Sequence, residues 1–586
     1  VESHDVRDHR LTTLGTAILA VLCVSLTAMI GRLAYINTAL SPKLTDMAQT
    51  QQLGTHSIPA RRGFIFDTTG RVVAGTWQRP SVFADPPLIE DLPAAVERLS
   101  PILGVSPVDL TSTIKSRTSS RFCWLKRLID PVDADAVRRL KLRGIGVRYE
   151  PQRLFPMNSL MAQVLGIVGR DGTGLEGAEL YYDTHLRGHD GKRASVYDGR
   201  RRRRPIWFRG DLSRPERDGG HVVLTLDCVI QGILERELEA AVEEFEADFG
   251  VGLVLSPATG ELLAVGQYPT FDPNHYNDYP PDLRRLRAVT DAIEPGSTFK
   301  PYVVCGALLT GAVDPEEEIF CHNGVHWFGG RRLRDSSPHG TLDLEGIIAK
   351  SSNIGMGIIG ERMGNAAIFD IVTAFGYGQP TGINFRGESA GLVRPLDSWT
   401  SYSTTSVPMG QEIAVTPIQL AAAFAAIVNG GHLLQPILVR ALLTPDGAIL
   451  AEFDGPRRPR RVIPQRISDF MRTKALAAVV ERGGGRSAAL RDWRMVGKTG
   501  TAEVAFKDRR GYEPGAYVGS FIGAAPLEDP QAVVLVMIHK PNPELGYYGG
   551  TVAAPAVGRV MEQTLAYLQV PPSPPPVNGR IATLNP

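Results

Sequence analysis

Three short stretches carry residues that could do nucleophilic chemistry together: Ser297-Thr298-Phe299-Lys300, Ser351-Ser352-Asn353 and Lys498-Thr499-Gly500-Thr501. A serine hydroxyl is a weak nucleophile at neutral pH, so it needs a base within hydrogen-bond reach and donors for the oxyanion that forms. Glu294-Pro295-Gly296 reads as a turn, and the apolar run through Tyr302, Val303, Val304 and Leu308 reads as a buried helix, which places Ser297 at a helix N-terminus. Lys300 then shares its face at i+3, and burial pushes a lysine toward its neutral, proton-accepting form. Ser351 and Asn353 alone would pass for a capped helix start. Beside Ser297 they supply a proton shuttle and an amide clamp for a peptide. Met495 to Ala502 has the β-branched content of a strand, with glycines where another backbone must come close, so a peptide could lie along that edge. The chemistry this set describes is acyl transfer through a serine.

The elements that must position these residues are legible in outline. Val222 to Leu226 opens a domain, Ile230 to Phe245 reads as a helix, and Gly252 to Leu255 with Leu262 to Val265 flank Thr259-Gly260 as a hairpin. Further strands are expected near 495, 517 and 532, then a closing helix from Ala554 to Leu568. Strands from both ends of the domain would form one antiparallel sheet packed by helices, an α+β fold in which Ser297, Ser351 and Lys498 meet where the sheet edge joins a helical part. Residues from about 40 to 220 alternate short strand-like and helix-like pieces without long repeats.

Leu11 to Gly31 has no charged side chain, and its 21 residues match a single bilayer-spanning helix. Ala28-Met29-Ile30 and Leu33-Ala34-Tyr35 lack a small-x-small cleavage pattern, so an uncleaved anchor is expected over a signal peptide. Arg7 and Arg10 are offset by acidic neighbours and faced by Arg32 and Lys43, so charge leaves the orientation open. A net charge of +1 and the isolated run Arg200 to Arg204 give no case for a nucleic-acid partner. The five cysteines lie far apart with no metal-ligand spacing, and the twelve histidines show no H-E-x-x-H pair, so neither disulfide framework, metal nor cofactor is expected. Pro571 to Pro576 begins an extended, mobile tail.

On the three motifs the chain resembles a class B penicillin-binding protein, a monofunctional peptidoglycan D,D-transpeptidase. The likeness runs from about 55 to 568. It includes Arg61-Arg62-Gly63-Phe64-Ile65-Phe66-Asp67, Arg153-Leu154-Phe155-Pro156, Gly174-Leu175-Glu176-Gly177-Ala178-Glu179, Pro269-Thr270-Phe271-Asp272-Pro273-Asn274 and Tyr547-Tyr548-Gly549-Gly550-Thr551. Ser352-Asn353-Ile354-Gly355-Met356, Phe375-Gly376-Tyr377-Gly378 and Thr381-Gly382-Ile383 are most similar to the division branch, the FtsI or penicillin-binding protein 3 family, with the elongation branch next. One departure is Leu286, where the family has asparagine before the arginine.

The resemblance implies a cytoplasmic tail (1–10), a transmembrane helix (11–31), an N-terminal pedestal and partner-docking module of the penicillin-binding protein dimerisation type (40–220), a transpeptidase domain (221–569) and a Pro-rich tail (570–586). The transpeptidase domain would hold a five-stranded antiparallel sheet flanked by helices, with a helical subdomain, on the outer, periplasmic side of the cytoplasmic membrane. Ser297 would be the nucleophile, Lys300 its base and Ser351 the relay. The backbone N–H groups of Ser297 and Thr501 would form the oxyanion hole. Asn353 would hold the acyl-side amide, and Lys498, Thr499, Gly500 and Thr501 the substrate carboxylate. Implied partners are D-Ala-D-Ala stem peptides with an amine acceptor, β-lactams, a SEDS-family glycosyltransferase such as FtsW, other division proteins and the membrane.

The rivals are a D,D-carboxypeptidase or β-lactamase of the same fold, or a non-catalytic division scaffold. Glu361 and Asn365 echo a deacylating pair at i and i+4, but fall too soon after Asn353 to match the class A loop, so Glu361 is expected to be an exposed helix residue.

Overall fold

The computed structural model describes residues 2–41, 53–118, 122–196, 206–208, 213–453, 458–506, 508–509 and 511–574. The Arg200 to Arg204 run and the tail beyond 574 lie outside the described residues. The chain divides into two compact units, 1–60 with 188–218, and 61–187 with 219–586. In the first, helix α1 (Glu2–Tyr35) takes in the whole 11–31 stretch, and a three-stranded sheet joins Leu53–Ile58, Gly191–Val196 and Ile206–Phe208. Among the described residues, this N-terminal helical segment is the one long and apolar enough to cross a membrane. Its apolar side chains are open to the surroundings, 70% at Val24, as a lipid-facing helix requires.

The second unit contains two larger sheets. A seven-stranded one is built from Ile65–Phe66, Val72–Ala84, Cys123–Lys126, Ile145–Leu154 and His221–Leu224, and is completed by Val439–Leu443 and Ile449–Glu452 from much later in the chain. Under its outer end sits a separate small core of Val82, Leu99, Leu103, Leu110 and Ile114.

The other sheet is the five-stranded antiparallel one: β1 (Phe249–Leu255), β2 (Leu262–Tyr268), β3 (Val496–Ala505), β4 (Tyr512–Ala525) and β5 (Ala532–His539), in the order β2-β1-β5-β4-β3. Strand β5 reads Ala-Val-Val-Leu-Val-Met-Ile-His and is buried from Ala532 to Ile538, because a strand at the centre of a sheet covered on both faces needs no polar alternation. Strand β3 is one of its two edges, β2 the other.

Six helices of this unit bear on the site: α2 (Cys228–Glu244), α3 (Lys300–Thr310), α4 (Leu344–Lys350), α5 (Asn353–Ala374), α6 (Pro417–Val428) and α7 (Ala554–Tyr567). One face of the sheet packs on α2 and α7, where Leu234, Leu238, Val557 and Met561 meet Phe521, Val534 and Ile538. The other face packs on the helical part around α6. That helix is buried at every position and started by a capping box between Thr416 and Gln419. The Tyr302 hydroxyl donates to Leu420 O at 3.0 Å, tying α3 to α6. All five cysteines are free thiols, and Cys305 is fully buried in α3.

One detail goes beyond expectation and one differs from it. Strands Val439–Leu443 and Ile449–Glu452, which no sequence signal above places, pair with each other, and the first pairs with His221–Leu224. The start of the Pro-rich tail is held by the domain: Trp493 Nε1 donates to Pro571 O at 2.9 Å, and Ser573 N to Asp492 O at 2.9 Å.

Candidate active site

Ser297 lies half-buried on a 3-10 turn, Gly296–Phe299, and the α-helix begins only at Lys300. Pro301 explains the boundary, since a residue without an N–H and with φ fixed near the helical value is suited to a first turn. Gly296 has φ +54, and a Cβ there would stand 2.8 Å from Thr501 O, so glycine lets the turn approach the edge strand. Gly500 answers from β3: a Cβ on it would meet Thr298 Cγ2 at 2.8 Å and would overlap Ser520 Oγ.

Lys300 is wholly buried, and its ammonium donates to Ser351 O at 2.6 Å, Asn353 Oδ1 at 2.8 Å and Ser351 Oγ at 3.2 Å. Lys498, also wholly buried, reaches from β3 to the same hydroxyl at 3.0 Å and to Thr499 O at 3.0 Å. Ser351 is therefore the meeting point of both amines. It ends α4 in the left-handed region, φ 56 and ψ 40, a conformation that costs a serine on the order of 1 kcal/mol. That turn presents its carbonyl and its hydroxyl together to Lys300. Among the described residues the Ser297 side chain makes no hydrogen bond, so Lys300 is oriented by the second motif rather than by the serine three residues before it.

Burial lowers both lysines. Lys300 is brought to about 7, with the Asp335 carboxylate pulling the other way. Lys498 falls well below the usual lysine range through burial and then through the charge of Lys300. Two ammonium groups on one hydroxyl repel strongly in a buried site, so one amine is free to accept the Ser351 proton.

Three residues hold this cluster that the sequence does not assign to the site, Glu294 reading only as part of a turn. Asp335 Oδ1 accepts from Asn353 N at 2.5 Å and Ile354 N at 3.0 Å, while Oδ2 accepts from Ser352 Oγ at 2.7 Å. An anion at the first turn of α5 fixes the orientation of Asn353 and also favours charge on Lys300. Glu294 Oε1 accepts from Glu412 N at 3.1 Å and its Oε2 from the Tyr512 hydroxyl at 3.0 Å, bracing the turn before Ser297. Gly410 packs its backbone on Gly296, where a Cβ would overlap the carbonyl oxygen. Each is a lone loop residue in sequence, and only tertiary packing brings it to the site.

On the edge strand, Thr501 Oγ1 accepts from Gly549 N at 3.2 Å. The departure at Leu286 is local: the side chain is buried, and the neighbouring Arg287 pairs with Asp282 and with Asp291. Glu361 is exposed, and Asn365 Nδ2 donates to Thr400 O at 2.9 Å. Neither has a hydrogen bond to the lysine cluster among the described residues.

With this geometry in place, comparison with known proteins gives its context. Residues 250–562 match the penicillin binding protein transpeptidase domain, and residues 57–224 match the penicillin-binding protein dimerisation domain. The chain is 32% identical to the probable peptidoglycan D,D-transpeptidase PenA of Neisseria meningitidis, over 97% of this chain and 94% of that protein. It is 30% identical to the peptidoglycan D,D-transpeptidase FtsI of Escherichia coli, over 94% and 92%. The crystal structure of penicillin binding protein 3 from Mycobacterium tuberculosis complexed with aztreonam superimposes with a TM-score of 0.69 at 27% identity, covering 89% of this chain and 99% of that one. The chain belongs to the class B penicillin-binding proteins.

Proposed function

We propose that this protein is a peptidoglycan D,D-transpeptidase that cross-links stem peptides by acyl transfer through Ser297, in septal wall synthesis during cell division, and that β-lactams acylate the same serine. The observation that carries the reading is the pair of buried lysines converging on Ser351, Lys300 from the helix that the Ser297 turn opens and Lys498 from the edge strand β3. Ser297 Oγ attacks the carbonyl between two terminal D-alanines, and its proton passes through the Ser351 hydroxyl to neutral Lys300. The backbone N–H groups of Ser297 and Thr501 receive the oxyanion. The C–N bond breaks, D-alanine leaves with the proton that Lys300 returns, and the acyl group stays on Ser297 as an ester. An amine from a neighbouring stem attacks that ester, the new amide forms, and the serine regains its proton.

Lys498, Thr499 and Thr501 bind the substrate carboxylate, Gly500 lets β3 lie close to the serine turn, and Asn353 holds the acyl-side amide. A carboxylate beside Lys498 favours charge on that amine, and repulsion then drives Lys300 further toward its neutral form. The arriving substrate thus helps prepare the base. By the same reading, 1–10 is cytoplasmic and 11–31 crosses the membrane. The pedestal (40–220) and catalytic domain (221–569) stand outside, with a SEDS-family glycosyltransferase such as FtsW and other division proteins as partners.

The test is the intact mass of the protein after benzylpenicillin, for wild type and Ser297→Ala, followed over hours. A lasting one-to-one adduct absent from the variant is expected. An adduct hydrolysed within seconds would indicate a β-lactamase, and no adduct on wild type would indicate a scaffold.

A further inference from the structure

The antiparallel ribbon of Val325–Phe328 and Arg331–Arg334 has two unlike faces. Phe328 and Leu333 are buried on the inner one, and His326 stacks there on His322 with ring centroids 3.9 Å apart. Side chains alternate across a strand, and the register pairs Trp327 with Arg332 and Val325 with Arg334, so these four form one patch on the outer face. All four are exposed, Trp327 to 61%. Among the described residues, the side chains of Arg332 and Arg334 have neither an ion pair nor a hydrogen bond. An indole left in water beside two unengaged guanidinium groups, Arg332 across from it and Arg334 diagonal to it, is a surface suited to a ligand that is flat and apolar in one part and anionic in another.

The ribbon is attached directly to the catalytic cluster. Asn353 Nδ2 donates to Arg334 O at 2.9 Å, and the next residue, Asp335, holds the backbone at 353 and 354. Anything lying across the ribbon's outer face is therefore at the rim of the groove that receives the stem peptide. The substrate is a polymer, and only the end of one stem enters that groove; the sugars and the remaining carboxylates of the stems have to lie over the rim. Sugar rings present C–H faces that pack on an aromatic plane, and carboxylates pair with guanidinium groups in charge-assisted hydrogen bonds.

We propose that the outer face of the 325–334 ribbon docks the anionic peptidoglycan strand whose stem peptide enters the cleft, with Trp327 against the sugars and Arg332 and Arg334 toward stem carboxylates. The inference rests on the transpeptidase reading above, and its test separates the two. Trp327→Ala, Arg332→Glu and the double variant of the full-length protein are assayed for acylation by benzylpenicillin, which needs the cleft alone, and for retention on purified insoluble peptidoglycan at low and high salt.

Acylation is expected to stay at the wild-type rate, while retention on peptidoglycan falls about ten-fold in the double variant, the size of effect that weakening one docking face should have. Wild-type retention should weaken with salt, and that of the Arg332→Glu protein should be less sensitive to it. Unchanged retention overturns the proposal. So does a joint loss of acylation and retention, which would make the ribbon a support for Asn353, and so does intact retention with loss of binding to an acidic partner protein. Failure of the wild type itself to be acylated would instead strike the transpeptidase reading, with the retention result still deciding the ribbon.

Discussion

Two buried charged clusters in this molecule are built on opposite plans. In the pedestal, Arg62 and Arg153 both clamp Glu179, at 2.6 Å each, and Arg62 also holds Asp183 at 2.6 Å. Two cations face two anions, and further donors reach Glu179 O, Gly172 O, Gly63 O and Thr76 Oγ1, while the buried Arg153 Nη2 is left without a partner among the described residues. In the cleft, Lys300 and Lys498 converge on a neutral hydroxyl, and the carboxylate of Asp335 is already engaged by Ser352, Asn353 and Ile354. The balanced cluster keeps its charges and joins distant segments of chain. The unbalanced one disfavours two charges at once, and the neutral amine this favours is the form that can accept a proton. Burial of charge is common to both; compensation decides whether the result is a clamp or a base.

Substitutions on each side should fail in different ways. Lys300→Met keeps volume but removes the amine proposed as the base, and acylation by benzylpenicillin should fall about 100- to 10,000-fold, as measured by the second-order rate of adduct formation. Its melting temperature should move far less than its rate. Glu179→Ala leaves two arginines buried without their shared partner, which costs about 3–5 kcal/mol of stability in a denaturant titration. The fraction that stays folded should still be acylated at the wild-type rate. If Glu179→Ala slowed acylation in the folded fraction, or Lys300→Met destabilised the protein as much as Glu179→Ala does, the division between clamp and base would collapse.

The cleft was legible in sequence where its chemistry is local. Ser297 and Lys300 are neighbours by helical spacing, and Lys498 to Thr501 lie on one strand whose glycine marks a close approach. The strands of the five-stranded sheet were legible from β-branched runs such as Val533 to Ile538. What stayed hidden depends on packing between distant segments. Asp335 is an ordinary loop aspartate until the fold sets it against the start of α5, and Gly410 is an ordinary glycine until Gly296 leans on it. The pedestal clamp was visible only as Arg62, Arg153 and Glu179 within separate stretches, because nothing in an isolated arginine names its carboxylate. Ser297 does sit at the start of the helical run, but the first turn, Gly296–Phe299, is 3-10 and α-helical hydrogen bonding begins only at Lys300, beside Pro301.

A gentler change separates the charge of Asp335 from its geometry. With Lys300 brought to about 7, the neutral amine becomes the main form only as pH rises through that value, so the acylation rate should climb with pH below 7 and level off above it. Asp335→Asn keeps an oxygen to accept from Asn353 N and Ile354 N but removes the anion that favours charged Lys300. The sign follows: without the anion the ammonium is less favoured, its pKa drops further, and the rising limb moves to lower pH. The plateau should fall only modestly, because Ser352 Oγ loses its acidic partner while keeping its bond from Gly355 N at 3.0 Å. A pH-rate profile of benzylpenicillin acylation for the two proteins reads both effects. A limb that stayed in place would mean that Asp335 acts through the shape of the turn alone, and a limb that moved upward would mean that the titrating base is not the amine beside it.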